Sequence, residues 1–221
     1  DLTMKKFLSL VLMACLMVSA CIITTSCAKT DGKFVIGICQ LVKHPALDAA
    51  TQGFKDALIK ELGEDKVTFD YQDANNDSTA CTTIMTSFVS KKVDLIMANA
   101  TAALQAAANA TENIPILGTS ITEYGVALGI DNFNGTVGSN ISGTSDLAPL
   151  TEQGDMLTEL FPDAKKVGLL YCSGEPNSLY QIKVIKEYLE TKGITCTAFP
   201  FSDSNDVALV TEAAAAASDV I

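Results

Sequence analysis

From residue 34 onward the chain alternates short, continuously apolar runs with longer stretches of helical periodicity, and it does so twice. Residues 34–39 (FVIGIC) are the first such run, apolar at successive positions as in a strand covered on both faces. Residues 45–62 then place Leu47, Ala50, Phe54, Ala57, Leu58 and Leu62 at helical spacing, opened by Pro45 and closed by Gly63. A strand at 67–71, a helix at 78–89, a strand at 94–98, a helix at 101–111 and a strand at 114–118 continue the series. Strands joined by helices of this length are not hairpins. They predict right-handed βαβ units around a parallel sheet.

Residues 119–146 break the rhythm: they are rich in Gly, Thr, Ser and Asn, with one short apolar piece at 126–130, and read as a last edge strand plus a crossover. The pattern then restarts with a helix at 150–161, a strand at 166–172, a helix at 176–192, a strand at 194–199 and a helix at 206–217. The restart is an approximate internal repeat. KFVIGIC (33–39) parallels KKVGLLYC (165–172), and the acidic turn QDANND (72–77) parallels FSDSND (201–206). The expected fold class is therefore α/β, with two Rossmann-like lobes on parallel sheets spanning 33–146 and 147–221 and a ligand held between them. DVI (219–221) matches DLI (94–96), the start of a strand, so the second lobe is expected to be incomplete in this chain.

Ahead of this body, Met4, Lys5 and Lys6 precede an apolar run at 7–18 with Ser9 as its one polar residue, the outline of a signal peptide covering 1–26. The run is too short for a comfortable membrane span. Cys21 and Cys27 each follow a small residue, as does the acylated cysteine of bacterial lipoproteins. The polar stretch at 27–32 favours Cys27 as the start of a lipid-anchored tether, whereas Val18, three residues earlier, favours Cys21. A signal peptide without lipid, or a retained anchor, is the alternative. Cys39, Cys81, Cys172 and Cys196 form no C-x-x-C pair and read as small buried hydrophobes, with a disulfide the alternative for an exported chain.

Charge narrows the partners. The chain has 15 basic and 26 acidic residues, net -11, and every basic residue is Lys. Nucleic acid is excluded as a partner, since phosphate affinity comes from basic contacts. Without Arg there is no guanidinium fork for a carboxylate or phosphate. One histidine, His44, leaves no room for a His triad or a multi-His metal site, and no Gly-x-Ser-x-Gly elbow or phosphate loop is present. No catalytic residue, metal or cofactor is expected.

In open α/β sheets ligands bind beyond the carboxyl ends of the strands, here the loops at 40–45, 98–102, 119–124, 142–146 and 172–178. They carry hydroxyls and amides: Asn99, Thr101, Ser120, Thr122, Ser145, Asn177 and Ser178. Two of them enter helices, at Thr101–Ala102 and at Pro176, and a helix N-terminus holds a carboxylate without Arg. Asp146 or Glu175 then answers an ammonium group. Taken singly, Thr101, Asn177 and Ser178 read first as helix caps or turn formers, with binding gaining as a set at equivalent strand ends. His44 reads first as a packing or hydrogen-bonding residue at the cleft mouth, with ligand contact the alternative.

These same loops carry a resemblance. GICQ (37–40) with HPALD (44–48), GTSIT (118–122), SGTSD (142–146) and above all SGEPNS (173–178) are similar to the substrate-binding lipoproteins of a bacterial ABC-transporter family that includes tryptophan- and tyrosine-binding members. The resemblance runs from residue 33 to 221. It implies a type I periplasmic-binding-protein fold, a monomer closing on an amino acid, aromatic in class by family inheritance alone, and delivery to a membrane permease. It adds Gln40 to the ligand candidates beside Thr101, Ser120, Thr122, Ser145, Asn177 and Ser178, and it places a hinge near 143–147. Tyr124, Phe133 and Tyr180 are candidates for stacking on the ligand or for the core. Two departures stand out: Glu123-Tyr124 replaces the family's usual Asp-Pro, and a strand-end Asp-Asn expected to help hold the amino group lies beyond the matched region. A ligand-sensing extracytoplasmic domain of a receptor or regulator on the same fold is the alternative function.

Overall fold

The computed structural model describes residues 32–221. The expected signal segment 1–26, the tether up to residue 31 and both candidate lipidation cysteines, Cys21 and Cys27, lie outside the described residues.

Strand β1 (Phe34–Gln40) is an interior strand of a five-stranded parallel sheet. It pairs with β2 (Val67–Asp73) on one side and β3 (Leu95–Asn99) on the other, and β4 (Ile116–Ile121) and β5 (Ile141–Ser145) follow β3, giving the order β2-β1-β3-β4-β5. Alternation along β1 sends Ile36 and Ile38 to one face, where they pack with Met97, Phe54 and Leu58 under helix α1 (Pro45–Leu62). Cys39 goes to the other face, under α2 (Ser78–Lys91) and α3 (Thr101–Ala110), with Cys81, Met85, Phe88, Leu104 and Ala107. Both faces of β1 are covered, which is why residues 34–39 are apolar at successive positions rather than at alternate ones.

Helix boundaries follow local chemistry. His44 Nδ1 accepts the Ala46 N–H at 3.2 Å and Pro45 occupies the first turn of α1, which ends at Gly63 with φ 96°. Asp77 caps α2 through the Thr79 N–H at 2.7 Å. The apolar piece at 126–130, expected as part of an edge strand, is instead helical: α4 spans Tyr124–Leu128, and the edge strand is β5. The deciding contact is the Glu123 carboxylate, which accepts the N–H groups of Gly125 (2.9 Å) and Val126 (2.6 Å), while Gly129 at φ 65° closes the turn. A run this short fits either periodicity, and the cap selects helix.

After β5 come α5 (Leu150–Leu160), β6 (Lys166–Cys172), α6 (Pro176–Thr191), β7 (Thr195–Phe201) and α7 (Val207–Ala217). β6 and β7 pair in parallel as a second sheet, and Val220 adds a parallel bridge to Val167. The internal repeat is physical at this junction. Asp94 Oδ2 accepts the Val35 N–H at 2.9 Å, and Asp219 Oδ2 accepts those of Lys165 and Lys166, both at 2.8 Å. Each aspartate ties the segment that follows it to the strand beside it, and the two backbone donors hold the Asp219 carboxyl below its ordinary pKa. Phe34–Ile221 forms one compact unit containing both sheets. Among the described residues no helix is long and apolar enough to cross a membrane.

Candidate ligand-binding cleft

Because every strand pair is parallel, the carboxyl ends of each sheet share one edge, and the two edges meet across a cavity of about 350 Å³. The five-stranded sheet contributes Ala100, Thr101 and Ala102 at the β3–α3 junction, and Ser120 and Thr122 at the end of β4. The second sheet contributes Gly174, Glu175, Pro176 and Asn177 from the turn between β6 and α6.

The first turns of α3 and α6 therefore open on the same space, and neither helix has a side-chain cap. At α3 the cap position is Ala100, held at φ 89°, ψ 160°, a conformation that is nearly exclusive to glycine. Its methyl group offers the first-turn N–H groups nothing. At α6 the cap is Glu175, whose carboxylate accepts Ser178 Oγ at 2.9 Å instead of a backbone N–H. Helices α1, α2 and α4, by contrast, are capped by His44, Asp77 and Glu123. Helices α5 and α7 also lack side-chain caps, but their first turns do not line this cavity. Two helix N-termini facing one cavity concentrate partial positive charge and N–H donors there, which is the chemistry of an anion site.

A larger depression of about 830 Å³ shares Glu175 with this cavity and is bordered by Asn76, Tyr171, Ser178, Phe201 and Asp203 among others. Its aromatic members are Tyr171 and Phe201. Of the expected stacking candidates, Tyr124 belongs to the core and Phe133 packs against it; Tyr180 lines neither space.

The sequence candidates thus divide. Thr101, Ala102, Ser120, Thr122, Glu175 and Asn177 line the cavity, and Ser178 the adjoining depression. Thr101, Asn177 and Ser178 sit inside the first helical turns, so none occupies a cap position. Gln40, His44, Asn99, Ser145 and Asp146 line neither space. The Gln40 amide donates to Val42 O (2.9 Å) and Asp48 Oδ1 (2.6 Å) and accepts from Thr51 Oγ1 (2.7 Å). Asn99 donates to Leu47 O (2.8 Å) and Thr51 Oγ1 (3.0 Å). This buried network pins the start of α1 to the ends of β1 and β3. His44 is exposed and acts as the cap of α1. Ser145 Oγ donates to Thr122 O at 2.9 Å and accepts the Leu147 N–H at 3.3 Å, a turn-forming role.

Leu41, Ser78 and Gln105 also border the cavity and were not anticipated. Ser78 begins the helix after β2, a strand-end loop that the carboxyl-end rule covers as fully as the others. Gln105 lies one helical turn beyond Thr101 and Ala102, so helical periodicity points to it.

This architecture now meets its relatives. The profile of the ABC transporter substrate binding protein family matches residues 35–221. The chain belongs to that family. It is 36% identical over 219 residues to the tyrosine-binding protein of Clostridioides difficile (strain R20291), a match covering 92% of this chain and 62% of that protein. It superposes with a TM-score of 0.78 and 30% identity on the ABC domain from Streptococcus pneumonia in complex with L-Trp, covering 86% of this chain and 65% of the other. Against a ligand-free, open substrate-binding protein with adhesive properties from Clostridium difficile the TM-score is 0.60 at 38% identity, with 81% and 61% covered. The chain thus spans a little under two thirds of the length of these relatives, with the type I periplasmic-binding-protein fold.

Where the resemblance pointed to Asp-Pro, this family member uses Glu123 as a helix cap and Tyr124 as a buried clamp. Tyr124 Oη donates to Gly118 O at 3.0 Å and lies 3.3 Å from Thr144 O, joining β4 to β5 beside the cleft. Burial, and then the charge of Asp146, push the Tyr124 phenol up to about 12. The neutral phenol is favoured by folding, so its contribution is complete below the ordinary tyrosine value near pH 10 and is lost as pH rises toward 12. Urea unfolding across this window should show wild type losing stability more steeply than Tyr124→Phe, by up to about 1.4 kcal/mol per pH unit. Parallel pH profiles would show the phenol to be unperturbed.

Proposed function

We propose that the chain is the ligand-binding part of an exported lipoprotein of an ABC importer, closing on an aromatic amino acid between 33–146 and 147–221. The observation that carries this reading is the convergence of two uncapped helix N-termini and the Glu175 carboxylate on one cavity in a chain without arginine. The ligand carboxylate takes the N–H groups of the α3 and α6 first turns, with Thr101, Ser120, Thr122 and Asn177 as hydroxyl and amide partners. Its ammonium group faces Glu175, and its ring extends toward Tyr171 and Phe201. In this reading the site binds and releases its ligand.

Closure by a hinge near 143–147 is supported by the better superposition on the L-Trp complex than on the open, ligand-free relative, despite lower identity to the former. The membrane permease is the partner that reads the closed form, a lipid on Cys27 or Cys21 holds the protein at the outer face of the membrane, and the protein acts as a monomer. Titration calorimetry of the complete chain against the proteinogenic amino acids should give micromolar or tighter binding of tryptophan, tyrosine or phenylalanine. Tryptamine, which lacks the carboxylate, should not bind. Micromolar binding to no amino acid overturns the reading, and tryptamine binding as tightly as tryptophan overturns the role of the helix N-termini.

A further inference from the structure

Two thiols far apart in sequence meet beneath the cleft. Cys39 lies near the end of β1 and Cys81 in the first turn of α2, and both are fully buried. Backbone bonds lead from one to the other: Gln40 O accepts the Ala74 N–H (2.9 Å), Ala74 O accepts that of Asp77 (3.0 Å), and Asp77 O accepts that of Cys81 (3.1 Å). Both side chains belong to one apolar cluster between the sheet and helices α2 and α3. Within it the two thiols face each other closely enough to interact, and that interaction, together with burial, raises the pKa of Cys39 while it lowers that of Cys81.

We propose that Cys39 and Cys81 form a disulfide when the chain folds in an oxidising compartment, stapling the end of β1 to the start of α2. The compartment, and only the compartment, rests on the export reading above. The step is exchange with a disulfide oxidant, either a small molecule or a protein. The Cys81 thiolate attacks one sulfur of the oxidant, giving a mixed disulfide and releasing one thiol. Cys39 then loses its proton and attacks the Cys81 sulfur, displacing the second thiol. The oxidant gains two electrons, and the two cysteine protons end on the released thiols. In the native fold both sulfurs are sealed from solvent, so exchange precedes burial, and the finished bond resists reductants until the protein opens. The staple spans the turn at 74–77, whose Asn76 borders the larger depression and whose neighbour Ser78 borders the cavity.

To test this, the complete chain is reduced in denaturant and refolded in buffers of glutathione and glutathione disulfide. It is then alkylated in denaturant and mapped by mass spectrometry. The expected result is a linked peptide pair containing Cys39 and Cys81, with Cys172 and Cys196 alkylated. Its Tm should exceed that of protein refolded under reductant by about 10 °C. Alkylated Cys39 and Cys81 at every glutathione ratio overturns the proposal, as does linkage of either to another cysteine. In Cys39→Ser the Cys81 thiol should become alkylated, and in Cys81→Ser the Cys39 thiol. Labelling is done in denaturant, so this readout stands even where a variant folds poorly. Failure here leaves the export reading untouched, because refolding is done outside the cell; signal processing in cells tests export separately.

Discussion

Replacing Ala102 by Asp should lower affinity for the aromatic amino acid by a hundredfold or more while leaving the Tm unchanged or slightly higher. Ala102 is the second residue of α3 and lines the cavity, half-buried. A carboxylate in this first turn interacts favourably with the helix dipole, worth about 0.3–1 kcal/mol. The same carboxylate takes the place proposed for the ligand's own. Two like charges about 4 Å apart repel by about 4 kcal/mol at an effective dielectric near 20, and about 1.4 kcal/mol corresponds to tenfold in affinity. Stability and binding are therefore expected to move in opposite directions, which a merely structural defect does not produce. Ala102→Asn keeps the volume without the charge and should bind better than the Asp variant. Calorimetry and thermal unfolding on the same samples decide it: unchanged affinity in Ala102→Asp would remove the helix N-terminus from the site.

The second large effect concerns the scaffold. Phe88→Ala should destabilise the fold by about 3–5 kcal/mol, the usual cost of truncating a buried phenylalanine. For a chain of this size that lowers the Tm by about 10 °C or more. Phe88 lies on α2, fully buried, and its ring fits against Gly37 of β1 so closely that a Cβ at position 37 would lie 2.7 Å from a ring carbon. Gly37→Ala should therefore be costly by overpacking, and less so when combined with Phe88→Leu, since residues in contact couple. Denaturant unfolding of Gly37→Ala, Phe88→Leu and their double variant measures that coupling. Additive losses would mean that the ring and the glycine do not share the contact.

Much of the secondary structure was legible because its causes are local. Pro45 and Pro176 open helices, Gly63 closes one, and apolar runs such as KVGLLYC (166–172) become strands of those bounds. The apolar piece at 126–130 is not legible in this way because its length fits a strand or a helix, and the Glu123 carboxylate settles the matter through bonds that periodicity does not encode. At the site, loop positions were legible from the parallel topology, yet side-chain roles were not. Gln40 and Asn99 look like ligand groups at strand ends, but Thr51 on α1 engages both. Tyr171 and Phe201 border the cleft because two separate strand ends lie side by side.

By itself, then, the sequence determined the alternation of strands and helices, the repeat marked by DLI (94–96) and DVI (219–221), and an anion chemistry without arginine. Those depend on periodicity, capping and composition, which act over a few residues. Only the tertiary structure decided which polar groups face the cavity, that the α3 and α6 N-termini share it, and that Cys39 and Cys81 share one buried cluster. These follow from packing between residues distant in the chain, and packing assigns each polar group either to a partner inside the fold or to the space where a ligand can sit.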